Sequence, residues 1–496
     1  MAEKNKSDKK NSAQINKLLF KGEIQELCGK NKWKNLFAQI DSSSIVFFRI
    51  IFGLLMLIDV ILYYDKIDLY WIAPKYHFYY WPFDFLSPLP GNGMYLLFIL
   101  MGILSVLIIA GLFYRISMIL FFLSFSYMFL LEQTRYLNHF YLIIIASFIM
   151  IFIPANTSLS LDNKLFKNNK SDTSPAWTLW LLRFIITLPY FFGGIAKLNY
   201  DWIHGEPLRM WLTKNAPAFT FGSLFQHEGV ILFMVYSGLI LDLFIIPLLL
   251  FKKTRTIGFV IITLFHLLNS QLFRIDIFPW FMIAATTLFF NPDWFRNFIN
   301  FFSRKKNSWP ISFIPKEKLI YPNELLSKHK KIIALLSIFV ILQLIIPLRH
   351  FLIPGNAIWT EEGQKFSWQM KLRTKSEIAS YLVKDKVSGK VYDINIYNYI
   401  RPWQKKIMED KPNLVWQFCQ IVKNDFKKRG IEIAFYANIK ASLNGRKYQP
   451  LIDSTVDLAS VPYNTFSHSN WIVDLNTPLN ERLNEIPETN KSSSPE

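Results

Sequence analysis

TLWLLRFIITLPYFFGGIAKLNYDW, residues 178–202, is apolar over most of the depth of a bilayer and then closes on a lysine. Only Arg183 interrupts the run before Lys197, and about 20 such residues at 1.5 Å rise span the hydrocarbon core. Runs of this kind recur at 44–64, 93–113, 116–132, 137–154, 177–197, 230–251, 256–273, 277–291 and 331–348, which predicts an α-helical multi-span membrane domain of about nine transmembrane helices. The runs 116–132 and 277–291 are short enough to be tilted or partly re-entrant, so eight is the other count.

Composition agrees: of 496 residues, 52% are hydrophobic and only 18% charged, too few charges for an ordinary soluble protein. The net charge of +19 sits in short basic segments between apolar runs, a membrane pattern that argues against nucleic acid as partner. Arg115, then Lys164, Lys167 and Lys170, then Lys252, Lys253 and Arg255, then the stretch from Arg304 to Lys331 fall on alternate loops. The intervening loops are near neutral. With the Lys-rich N-terminus inside, this alternation fits nine spans and puts residues after 349 on the non-cytoplasmic side, with membrane lipid as the surroundings. The N-terminus lacks the apolar core and cleavage site of a signal peptide and reads as a cytoplasmic tail. Cys28 and Cys419 would lie on opposite sides, so no disulfide follows.

From Gly355 onward the pattern changes. KVYDINIYNYI (390–400) and IEIAFYANIKASL (431–443) alternate as strands do, and Asn444-Gly445 is a turn signal. Between them, residues 404–430 show helical spacing at Leu414, Phe418, Ile421 and Phe426, ended by Gly430. The expected organisation is a basic tail (1–40), a transmembrane catalytic domain (41–350), an external β-rich domain (351–480) and a loose tail (481–496).

Ionisable groups within apolar spans are costly and each is a candidate for function. Lys197, His139 next to Asn138, His266 and His350 all fall in the outer half of the predicted topology. A lysine near a span end is nevertheless more often a snorkelling anchor than a catalyst, and position alone leaves Lys197 there. His139 and His350 read first as hydrogen-bonded boundary histidines, while His266 lies deeper. Gly193 and Gly194 suit helix packing or the approach of a flat ring. Asp59 and Asp242 read as structural partners of Arg49 or Arg183. No metal-binding spacing, phosphate loop or nucleophile elbow occurs.

Five ordered blocks carry a resemblance: RYLNHFYL (135–142), YFFGGIAKLNYDW (190–202), FHLLNSQLFRIDIFPWFM (265–282), LIIPLRHFLIPGNAIWTEEGQKFSWQM (344–370) and ASLNGRKYQPLIDSTVDLA (441–459). Together they resemble the vitamin K-dependent γ-glutamyl carboxylases, in a form with an HTTM-type membrane domain, over roughly residues 40–460. The resemblance implies an enzyme that couples oxygenation of vitamin K hydroquinone to carboxylation of peptide glutamate. O2 and CO2 are the other co-substrates, the products are γ-carboxyglutamate and vitamin K epoxide, and no metal takes part. It implies Lys197 as the base towards the hydroquinone and His139, beside Asn138, as the group that stabilises charge, with His266 and His350 near the reaction centre. It further implies Phe278, Met282, Met370, Gly193 and Gly194 around the quinone, and Trp359 and Trp368 in the segment that presents the glutamate. A lysine accepts a proton only as the neutral amine, so this role requires the apolar surroundings of Lys197 to disfavour its charge.

The chain stops sooner than the animal enzymes, so propeptide recruitment is not implied, and their cysteine pair joining membrane and external parts has no counterpart. Its Lys, Asn and Ile content suggests a bacterial chain, for which the outer side is the periplasm. Two other readings remain: a quinone-dependent oxygenase or carboxylase with a different acceptor, and a non-enzymatic quinone- or lipid-binding membrane protein.

Overall fold

The computed structural model describes residues 35–166, 172–218, 222–273, 275–302 and 323–479, so most of the basic tail and the whole of the loose C-terminal tail lie outside it. Every predicted span carries a helix: α1 (Ser43–Tyr64), α2 (Gly93–Ala110), α3 (Tyr114–Leu130), α4 (Asn138–Phe152), α5 (Ala176–Lys197), α6 (Glu228–Leu250), α7 (Arg255–Leu272), α8 (Phe278–Thr286) and α9 (Asn323–Leu348). Among the described residues, five helical stretches are long and apolar enough to cross a membrane: α1, α2, α5, α6 and His329–Leu352. The nine crossings are therefore not established by length and composition. The 17 residues of α3 rise only about 25 Å, and α4 and α8 are shorter still.

Aromatic side chains hold the helices together. Phe52 of α1, fully buried, meets Phe121 of α3 at 5.9 Å and Phe281 of α8 at 6.3 Å, both edge-on, the geometry the ring quadrupoles favour. Before α1, strand β1 (Gln39–Asp41) pairs antiparallel with β2 (Thr173–Pro175), just ahead of α5.

The arginines do not pair with the intramembrane acids as expected. Arg49 donates to the carbonyl of Ile109 (3.2 Å), in the last turn of α2 where carbonyls have no partner within the helix, and to those of Ala155 (2.9 Å) and Leu159 (2.6 Å) in the loop after α4. Gly111, at φ +62° after α2, leaves the space: a Cβ there would lie 2.6 Å from the Arg49 guanidinium. Asp242 pairs with a lysine (below), and Asp59 Oδ1 is buried with no hydrogen-bond partner among the described residues.

The C-terminal region carries strands but is mixed rather than β-rich. Four antiparallel strands run in the order β4–β3–β5–β6, with β3 (Lys375–Asp385) paired along its length to β5 (Ile433–Leu443) and β4 (Val391–Tyr392) and β6 (Gln449–Pro450) as short edges. Helix α10 (Pro412–Lys428) packs on the sheet, its Phe418 ring 5.8 Å from Tyr381 and 5.9 Å from Phe435. The expected strand at 390–400 shortens to two residues because the Asn395 side chain accepts from the Tyr397 amide and turns the chain into a 3-10 helix. The predicted helix over 404–430 is broken in two at Pro412 and ends at Gly430, φ +74°.

A buried ion pair docks this region on the helices. Arg446 grips Asp201, Nη1 to Oδ2 at 2.6 Å and Nη2 to Oδ1 at 2.5 Å, while Asn444 Nδ2 donates to Oδ2 at 2.7 Å. Asn444, at φ +53° in the predicted turn, also accepts from the Thr374 amide at 2.8 Å. Removing one member of such a pair strands the other charge in a water-poor interface, at a cost of about 3–5 kcal/mol. Arg446→Met is accordingly expected to lower the thermal midpoint of the full chain in detergent, and Asp201→Leu combined with Arg446→Met to recover most of the loss. A double variant as unstable as the single one would refute this account.

Burial pushes the Glu377 carboxyl on β3 up from its ordinary 4.5 to about 7, and the charge of Asp410 acts in the same direction. The fold thus favours the neutral acid, whose contribution is complete below pH 4.5 and lost as pH rises through 7. Glu377→Gln, neutral at every pH, is expected to match the parent near pH 4.5 and exceed its thermal midpoint above pH 7. Equal midpoints at the higher pH would contradict it.

Candidate active site

Helix α5 ends on Lys197, and the chain restarts at once: Asn199 Oδ1 accepts from the Trp202 amide at 3.0 Å and caps the short helix Tyr200–Ile203. This sets the Trp202 ring 5.0 Å from Lys197 Nζ. Trp202 Nε1 donates to the Val235 carbonyl at 3.1 Å, fixing the turn against α6.

Lys197 Nζ donates to Asp242 Oδ2 at 2.5 Å, with both side chains about nine-tenths buried. Gly193, one turn before the lysine, makes the approach feasible: a Cβ there would lie 3.3 Å from that oxygen. Gly194 has the packing role instead, since its Cβ would lie 2.8 Å from Leu243.

Beside the pair is a cavity of about 360 Å³ between the helices. His139 opens α4 and His266 lies near the end of α7, and their rings flank Phe278 at 5.9 and 6.1 Å. The Tyr190 hydroxyl is 2.7 Å from His266 Nε2. His266 Nδ1 and His139 Nε2 are buried without a hydrogen-bond partner among the described residues.

Asn138, Met282 and Met370 also line this cavity, as do Gly193, Lys197, His139, His266 and Phe278. The structure puts the remaining sequence candidates elsewhere. His350 donates from Nδ1 to the Pro347 carbonyl at 2.7 Å, under Gly363, whose Cβ would lie 2.8 Å from the His350 Cα. Trp359 is fully buried in the core of the C-terminal region and donates to the Val473 carbonyl at 2.6 Å. Trp368 is fully buried against Tyr141, ring centroids 5.1 Å apart, in the core of the helical domain.

Among the polar cavity residues that sequence reading did not place at the site are Asp242, Tyr190, Asp276, Gln369 and Lys371. Asp242 was visible as an intramembrane acid, but its partner was not. Asp276 accepts from the Tyr63 hydroxyl at 3.0 Å, a contact across 213 residues that no local pattern announces.

A second, polar cavity of about 390 Å³ adjoins the first on the side of the C-terminal region, and Trp211, Gln369 and Lys371 line both. Its wall includes Arg373, whose guanidinium donates to Asp410 at 2.9 Å and to Glu361 at 2.7 Å.

Residues 37–294 match the family model of the HTTM domain, and residues 328–478 match that of the vitamin K-dependent gamma-carboxylase lumenal domain. No solved structure matches the chain. The first match covers the helices that build the cavity, the second covers the region that closes it, and between them they take in all five sequence blocks in order. The chain therefore belongs to the vitamin K-dependent γ-glutamyl carboxylase family.

Proposed function

We propose that the protein is an integral membrane carboxylase that uses reduced vitamin K, O2 and CO2 to convert peptide glutamate to γ-carboxyglutamate, with vitamin K epoxide as co-product. The observation that carries this reading is one cavity shared by the Lys197–Asp242 pair and two buried imidazole nitrogens that have no hydrogen-bond partner among the described residues. Buried polar atoms in folded proteins are nearly always satisfied, so His139 Nε2 and His266 Nδ1 favour a ligand with polar atoms on an otherwise apolar frame. Phe278, Met282 and the glycine face at Gly193 suit a flat ring, and a reduced naphthoquinone has that chemistry. When bound, it supplies together with O2 the strong base that glutamate deprotonation requires.

The side chains have separable tasks. Lys197 Nζ and Asp242 Oδ2 hold one proton between them, so the pair is neutral as a whole wherever that proton sits. On taking a second proton from a ligand hydroxyl it becomes a cation next to the new oxyanion, and the two charges compensate where water cannot. Tyr190 orients the His266 ring, so that a hydroxyl donating to Nε2 leaves Nδ1–H to donate into the cavity. The helices keep bulk water from a base that water would quench.

The basic-loop pattern supports a cytoplasmic N-terminus and a non-cytoplasmic C-terminal region. A lipophilic co-substrate then enters from the bilayer and a peptide from the far side, through the second cavity. The division into a catalytic domain over 41–350 and an external domain over 351–480 follows the same reading.

Purified protein incubated with reduced vitamin K, labelled bicarbonate and a short Glu peptide is expected to yield epoxide and labelled peptide. Lys197→Ala should lose both by roughly 100-fold or more, the scale of a positioned acid–base group; because it also strands the buried Asp242 carboxylate its thermal midpoint should fall, and Lys197→Ala combined with Asp242→Asn should recover the midpoint without recovering either product. Epoxide without labelled peptide would favour an oxygenase acting on another acceptor, and neither product a quinone- or lipid-binding role.

A further inference from the structure

The proposed reaction leaves a proton behind. Hydroquinone, O2, CO2 and one γ C–H bond are consumed, and epoxide, water, a new carboxylate and one proton result. The second hydroquinone proton and the γ-proton leave in the water, and the first stays on the Lys197–Asp242 pair, which must shed it before the next turnover. Both side chains of that pair are about nine-tenths buried. An apolar wall conducts no proton, so a titratable group has to join the cavity to water.

Asp242 and Asp276 are the carboxylates in the cavity wall among the described residues, and of the two only Asp276 is exposed. It lies between α7 and α8 at φ +47°, a left-handed conformation that aspartate adopts more readily than most residues with a Cβ. Its Oδ2 accepts from the Tyr63 hydroxyl at 3.0 Å, and that hydroxyl accepts from Arg135 Nη2 at 3.2 Å. The Arg135 guanidinium is itself held 3.9 Å from the centroid of the Tyr70 ring. The carboxylate is thus anchored through one oxygen, and the other has no hydrogen-bond partner among the described residues. A second observation lies on the inner side. His139 is 8% exposed and lines the same cavity, its Nε2 has no partner among the described residues, and the charge of Asp276 is near enough to act on its ring.

Resting on the proposed reaction, we infer that Asp276 is the proton exit of the cavity. The proton held by Lys197 and Asp242 crosses the cavity to His139, passes to the free oxygen of Asp276 and leaves for water on the non-cytoplasmic side. An imidazole accepts a proton on one nitrogen and returns to neutral by giving it up, and a carboxylate does the same on oxygen. Tyr63 and Arg135 are positioning residues that keep the carboxylate at the mouth.

The protein without ligands gives the first readout. In a Cys28→Ser, Cys419→Ala background, Asp276→Cys in reconstituted vesicles should react with a charged thiol reagent that does not enter lipid; failure to react overturns the exit. Turnover gives the second. Asp276→Asn keeps an acceptor for Tyr63 but cannot carry a proton. It is expected to complete the first turnover at the parent rate and then slow, with kcat lowered roughly 10- to 100-fold. Its kcat/KM for peptide should not change, since the affected step follows carboxylation. Formate, a small carboxylate, should restore much of kcat to Asp276→Ala. Equal losses in kcat and kcat/KM would mark a structural role and overturn the exit. Neither product from the parent sinks the proposed reaction and the exit with it; product from the parent and from Asp276→Asn at equal kcat sinks the exit alone.

Discussion

A lysine and an aspartate can both lie among apolar helices only if they lie together. Each ion alone forfeits several kcal/mol of hydration, and the 2.5 Å contact between Lys197 and Asp242 is what makes either tolerable. The contact constrains two helices to one relative height and forbids any side chain between them. Both constraints are visible in the sequence around it: glycine at 193 admits the carboxylate, and glycine at 194 lets the α5 backbone close on Leu243 of α6. Two adjacent glycines thus serve different neighbours, one electrostatic and one steric.

The residues immediately after the lysine extend that constraint outward. Asn199 caps a new helical turn, Asp201 reaches Arg446 and Asn444, and Trp202 covers the ammonium. Asn444 in turn holds the Thr374 amide, and Trp211 holds the Thr374 hydroxyl. The segment 369–374, which separates the cavities, is therefore pinned from both the membrane side and the sheet side. One five-residue stretch thus links the geometry around Lys197 to one of the contacts that dock the C-terminal region.

Much of the fold could be read in advance because helix and strand periodicities are local. Every apolar run became a helix, and the β5 alternation and the Asn444-Gly445 turn reappeared. Strand β3 was overlooked although KSEIASYLVKD also alternates, and the 390–400 strand gave way to an Asn395 turn. At the site, reading paired Asp242 with an arginine, since nothing in the sequence shows at what height two helices meet. Asp242 lies 14 residues into α6 from Glu228, about 21 Å, so α6 begins far beyond the end of α5 and their polar residues meet only through that stagger. Relative helix height is set by tertiary packing, and no single span encodes it.

The boundary between the helices and the C-terminal region shows how such a junction is specified without a covalent tie. Cys419, buried in the core there, forms no disulfide among the described residues. Instead, buried carboxylates each collect several donors. Asp201 takes those of Asn444 and Arg446. Glu132 takes the Thr134 amide and hydroxyl, the Gln404 amide and the His77 ring. A buried carboxylate is costly unless each lone pair finds a donor, so a shift of one surface over the other would leave several atoms unsatisfied together. Apolar surfaces of the same area would tolerate such a slide. The residues shared by the two cavities, Trp211 on one side of this junction and Gln369 and Lys371 on the other, need its register fixed more than they need it strong, and multiply satisfied acids provide that register.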